Sequence, residues 1–154
     1  MTRRPIVWVL AVAASACGGK DNSAAPTPTQ AAITVTVSPN PVTSTVCSPA
    51  CVATNGNSYQ FRAAATLVIQ ETAGVGGNVD SIVSGSLTYT SADVTQRSGT
   101  SRLAAKGTVP FPLAFLYGAD GNPNASRSMV FPIVVSVTDD RGNHVTGQVQ
   151  WTAN

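Results

Sequence analysis

Tyr59-Gln60-Phe61-Arg62-Ala63-Ala64-Ala65-Thr66-Leu67-Val68-Ile69-Gln70 is the stretch on which the fold turns. Tyr59, Phe61, Ala63, Ala65, Leu67 and Ile69 fall on one face; Gln60, Arg62, Ala64, Thr66, Val68 and Gln70 fall on the other. Successive side chains point to opposite sides of a strand. A period of two over about 12 residues therefore predicts one long, half-buried antiparallel strand.

Outward from it, the same period recurs. Ile33-Thr34-Val35-Thr36-Val37 alternates until Ser38-Pro39-Asn40-Pro41 stops it. After the long strand, Ala73-Gly74-Val75-Gly76-Gly77-Asn78 reads as a turn, and residues 79–90 read as one further strand with Gly85 as a bulge or bend. Residues 91–107 are polar, with Leu103-Ala104-Ala105 as a short strand, and no segment shows a helical period. The last pair is the clearest. Met129, Phe131, Ile133, Val135 and Val137 share a face, as do Val145, Gly147, Val149 and Trp151, across the turn Asp139-Asp140-Arg141-Gly142-Asn143. Pro132 places the start of the first of these strands at a sheet edge or a bulge. These signals predict an all-β antiparallel sandwich of about seven strands over residues 32–154, long enough to bury a single core.

The ends of this domain carry a resemblance. Ile33-Thr34-Val35-Thr36-Val37-Ser38-Pro39-Asn40-Pro41 resembles the first strand of immunoglobulin-like domains in secreted bacterial proteins. Residues 135–146, V-S-V-T-D-D-R-G-N-H-V-T, resemble their closing hairpin, including that of PKD-type domains, although the W-D-F-G-D-G signature of the latter is missing. The resemblance implies an immunoglobulin-like fold, and a fold alone does not assign a function.

The first residues carry a different message. Arg3 and Arg4 precede the apolar run P-I-V-W-V-L-A-V-A-A-S-A, and small residues lead to Cys17. This is the layout of a secretory signal over 1–16, too short for the roughly 20 residues of a membrane span. Ala14-Ser15-Ala16-Cys17 resembles the lipobox of bacterial lipoproteins, with Ala14 where Leu is usual. The resemblance implies cleavage before Cys17 and acylation of its thiol; cleavage after an A-x-A pattern would instead leave a free thiol. Gly18 rather than Asp follows the cysteine, which in that family favours the outer membrane where one exists. Residues 17–31 lack large apolar side chains and carry Pro26 and Pro28, so they read as a lipid-anchored flexible linker reaching roughly 40 Å.

With Arg3 and Arg4 removed, seven basic residues face seven acidic ones, and the neutral chain gives no reason to expect nucleic acid. With Cys17 lipidated, Cys47 and Cys51 form an even pair that C-S-P-A-C can close as a disulfide in an oxidising compartment. Zinc would have only these two cysteines and the lone His144, and a redox pair would read C-x-x-C. No G-x-S-x-G accompanies His144, and Gly74-Val75-Gly76-Gly77 lies between strands rather than before a helix. Asp120-Gly121-Asn122 and Asp139-Asp140 lack the spacing of a calcium loop. Glu71 is the only Glu, and the Asp residues of the domain fall in or near expected turns, so two buried carboxylates for glycoside hydrolysis are not expected.

The apolar stretch Val109-Pro110-Phe111-Pro112-Leu113-Ala114-Phe115-Leu116-Tyr117 admits two readings. It is an edge strand packing inward, or an exposed contact patch of Phe111, Phe115 and Tyr117. The expected function is a lipid-anchored envelope module without catalytic residues or cofactors. It would contact the membrane through its lipid, and another envelope protein or a glycan through loops or a sheet edge; no small-molecule substrate is evident. The rivals are a calcium-dependent adhesion module, or an accessory or carbohydrate-processing domain with a cleft lined by Asp80, Asp93 or Asp120.

Overall fold

The computed structural model describes residues 27–122 and 124–154. The signal segment, Cys17 and the linker up to Pro26 lie outside the described residues.

The chain forms two antiparallel sheets packed face to face. In the first, β3 (Ser58–Glu71) is the central strand. One side of it pairs along its length with β7 (Thr108–Ala119). Its other side is shared: β1 (Ile33–Ser38) takes the C-terminal half and β2 (Thr45–Val52) the N-terminal end. The second sheet runs β5 (Leu87–Thr90), β4 (Gly77–Ser84), β8 (Met129–Asp139), β9 (His144–Ala153), with the two-residue β6 (Arg102–Leu103) beside β5 on the edge of β4.

The alternation of β3 is kept in full. Phe61, Ala63, Leu67 and Ile69 are buried, and Arg62, Ala64, Thr66 and Gln70 are exposed. The sequence reading has no strand over residues 45–52, where β2 forms, and two further elements differ from it. Residues 79–90 are a tight hairpin rather than one strand: Ser84 pairs with Leu87 across Gly85-Ser86, and Gly85 takes a φ of 58°, which glycine adopts without a Cβ penalty. Residues 91–98 form α1 (Ser91–Ser98). Thr90 caps it, its hydroxyl accepting from the Asp93 N–H while the Asp93 carboxylate accepts from the Thr90 N–H. Gly99 ends it in the left-handed region. Two turns with one buried residue, Val94, are too few to display a helical period. The split hairpin and β2, for which the sequence reading has no strand, bring the described strands to nine.

Phe115 and Tyr117 of the first sheet meet Phe131 and Trp151 of the second, with ring centroids 4.6–5.8 Å apart, and Phe61 lies 5.5 Å from Tyr117 within the first sheet. Gly147 lies where β9 passes closest to β1, and a Cβ there would strike Val35.

Two acids are buried after all. Glu71 and Asp139 continue the inward parity of β3 and β8 by one step and are 0% and 4% exposed. Glu71 accepts from the backbone N–H groups of Ala32, Ala73, Gly74 and Lys106 at 2.8–3.3 Å. Asp139 accepts from the N–H groups of Ala31, Arg141 and Asn143 and from the Asn143 amide. Burial raises both carboxyls, but the N–H donors outweigh it: Glu71 is held below its ordinary value, and Asp139 is lowered to about 2.

Ala31 and Ala32 are therefore clamped at this end of the sandwich, and Ala31 is already buried. A depressed carboxyl contributes stability in full above its unfolded value and loses it as pH falls through the folded value. Thermal melts should hold steady down to about pH 5 and then fall steeply towards pH 2. Glu71→Gln should lower stability at pH 7 by about 2 kcal/mol, because the amide NH2 cannot accept the donors one carboxylate oxygen serves. It should also flatten the acid slope.

Candidate functional site

Three sheet edges, those of β7, β9 and β2, are blunted. Pro110 and Pro112 remove two donors from the open side of β7, while the ladder to β3 runs past them unbroken. The segment between β1 and β2 runs along the edge of β9: the Asn40 amide bonds the Gln150 carbonyl and accepts from the Thr152 N–H, and Val42 exchanges bonds with Thr152 and Asn154. Pro132 faces Gln150 of β9 where β4 has already ended, since Ser84 pairs with Ile133.

The edge of β2 is blunted by a disulfide. Val46 pairs with Phe61 and Cys51 with Tyr59, so residues 47–50 bulge out opposite the single residue Gln60. Cys47 and Cys51 are joined across this bulge, with Cα atoms 5.3 Å apart. The pairing expected from C-S-P-A-C is thus formed, and it staples a β-bulge.

Next to the staple lies an open depression of about 660 Å³. Residues 51–55, Tyr59, Arg62, Leu87 and residues 114–116 line it. The β2–β3 turn is fixed by bonds from the Ala53 N–H to the Asn57 carbonyl and from the Gly56 N–H to the Ala53 carbonyl. The Asn55 side-chain oxygen accepts from the Asn57 N–H, and its NH2 makes no hydrogen bond among the described residues.

The exposed large apolar side chains gather at this end. Val46, Val52, Leu87, Met129 and Val130 are 44–65% exposed. Four sit at or near strand ends remote from Glu71 and Asp139: Val52 opposite Ser58, Leu87 opposite Ser84, and Met129 and Val130 opposite Ala153 and Thr152; Val46 lies opposite Phe61, three residues in from the start of β3. Thirteen residue steps of β3 at about 3.3 Å put roughly 40 Å between the clamped end and this distal end.

The sequence-derived patch of Phe111, Phe115 and Tyr117 is not on the surface. Phe111 is fully buried, and Phe115 and Tyr117 are each 5% exposed. Their odd positions on β7 face the second sheet, and Pro110, Pro112 and Ala114 take the outside. The Tyr117 hydroxyl donates to the Arg127 carbonyl at 2.7 Å and is also bonded to the Ser44 hydroxyl. The inward-packing edge strand is the reading that holds.

The other candidates are dispersed. His144 lies on the outer face of the second sheet, with Nδ1 2.9 Å from the Thr138 hydroxyl, which itself donates to Asp80 at 2.7 Å. The hydroxyl stands between acid and imidazole, the reverse of a triad, in which the histidine stands between. Asp93 is used in its helix cap, and Asp120 follows β7 at the distal end. Asp80, Asp93 and Asp120 therefore line no common cleft. Asp140 is held by Arg102 through two bonds, at 2.5 and 2.7 Å, and Asp139 is saturated by N–H groups, so this pair is engaged within the fold. The Gly74–Gly77 run is a loop leading into β4, as expected of a turn. Among the described residues no group of three or more His, Cys, Asp or Glu converges.

No protein-family model, no curated protein and no solved structure matches this chain.

Thiol labelling without reductant should leave Cys47 and Cys51 unreacted, and replacing both with Ser should cost about 2 kcal/mol on chain-entropy grounds. Phe115→Ala should cost about 3–5 kcal/mol in a denaturant titration, since it opens a cavity beneath Phe131 and Trp151. A loss under 1 kcal/mol would contradict its place in the core.

Proposed function

We propose that the chain is a lipid-anchored protein of the bacterial cell envelope, whose immunoglobulin-like sandwich is a non-enzymatic binding module. The observation that carries this reading is the polarity of the domain. The linker enters at the end where Asp139 and Glu71 hold Ala31 and Ala32, and the depression lies roughly 30–40 Å away along β3. A lipid at Cys17 and a linker of up to roughly 40 Å would thus point the distal end away from the membrane.

The strand order supports the immunoglobulin-like part. β1-β3-β7 facing β5-β4-β8-β9 corresponds to strands A-B-E facing C′-C-F-G, with β2 added between A and B, and α1 and β6 between C′ and E. The blunted edges favour contact through the distal end over strand addition, with another envelope protein or a glycan as the partner.

Intact mass of membrane-extracted protein should show a chain beginning at Cys17 with a diacylglyceryl or triacyl adduct. Cys17→Ser should move the protein to the soluble fraction. An unmodified soluble product starting at Cys17 would end the anchored reading.

A further inference from the structure

We infer that the distal depression binds a carboxylate-bearing glycan, with Arg62 pairing with the carboxylate. This rests on the reading of the distal end as the binding end and names the class of ligand it takes.

The lining is rich in donors and holds no acid. Arg62 projects from the outer face of β3 and forms no ion pair among the described residues. The Asn55 NH2, the Thr54 hydroxyl and the Tyr59 hydroxyl add neutral donors around it. A guanidinium presents a planar fork that matches a carboxylate with two parallel bonds. Val52, Leu87, Ala114, Leu116 and the Tyr59 ring supply an apolar wall, which suits the C–H faces of sugar rings. The volume falls within the range of small-ligand sites, whose linings combine apolar walls with a few fixed polar groups. The disulfide and the bonded β2–β3 turn hold residues 51–57 in place before a ligand arrives, so little ordering cost remains.

Two other ligand classes fit less well. An extended peptide recognised by strand addition needs an open edge, and the two edges that border the depression are interrupted, β2 by its stapled bulge and β7 by Pro110 and Pro112. A nucleic acid needs a basic stripe, and the second distal arginine, Arg127, lies over the Phe61 ring with its Cζ 5.6 Å from the centroid. One free guanidinium pairs with one sugar carboxylate at a time.

The test is retention of the full chain, in detergent, on immobilised polygalacturonate and on hyaluronate. Its controls are fully methyl-esterified polygalacturonate, which keeps the sugars and loses the charge, and poly-L-glutamate, which keeps the charge and loses the sugars. Binding to an acidic glycan at least tenfold tighter than to either control is expected. Arg62→Gln should weaken it at least tenfold with an unchanged melting temperature. Arg141→Gln, the same charge change at the clamped end, should leave it intact. The inference is overturned by absence of binding to both acidic glycans, by equal binding to either control, or by equal losses in the two variants. None of these outcomes touches the mass measured at Cys17, so the anchor and the ligand class fail separately.

Discussion

Strand β3 is hydrogen-bonded on both sides, and its inward face is apolar over five alternate positions before Glu71. The register of β1, β2 and β7 is set against it, and a slip of one residue would turn Leu67 and Ile69 outward and bring Arg62 and Gln70 into the core. That cost fixes the first sheet. The first sheet in turn offers Phe115 and Tyr117 as a surface on which Phe131 and Trp151 pack. The second sheet is positioned by that contact and by the clamp at the other end.

The clamp shows how a buried charge can organise a fold. Glu71 and Asp139 occupy core-facing positions where an apolar residue would be expected. Each is at the last residue of its strand, where loop N–H groups need acceptors. Both carboxylates are satisfied by backbone donors, and the burial penalty is offset without a cation. Their common product is a fixed entry point: adjacent residues Ala31 and Ala32 donate one N–H to each acid.

Closure of the edges and placement of exposed apolar groups have the same functional sense. Pro110, Pro112, the Asn40–Val42 segment and the stapled bulge each remove a route to edge-to-edge pairing. Among the described residues, the large apolar side chains that stay exposed lie toward the end remote from Glu71 and Asp139, and two of them, Val52 and Leu87, line a donor-rich depression. With the edges of β2, β7 and β9 blunted, the end remote from Glu71 and Asp139 is where large apolar side chains stay accessible.

Much of this was legible in the sequence. The period of two located β1, β3, β8 and β9, and the turn residues located the last hairpin, because strand parity and turn conformation are local properties. The Cys47–Cys51 pairing followed from a short spacing that needs no knowledge of the fold. The capping signature Thr90-x-x-Asp93 and the terminal Gly99 were also there to be read, and they outweigh the missing period of a two-turn helix. The parity of β3 and β8 likewise reaches Glu71 and Asp139, although nothing local says that a charge in that position will find donors. The tertiary structure alone decided which face of β7 looks inward, which acids are satisfied, and that Arg62, Asn55, Tyr59 and Leu87 meet in one depression. Those outcomes depend on chain segments brought together from distant positions, and no local pattern encodes that proximity.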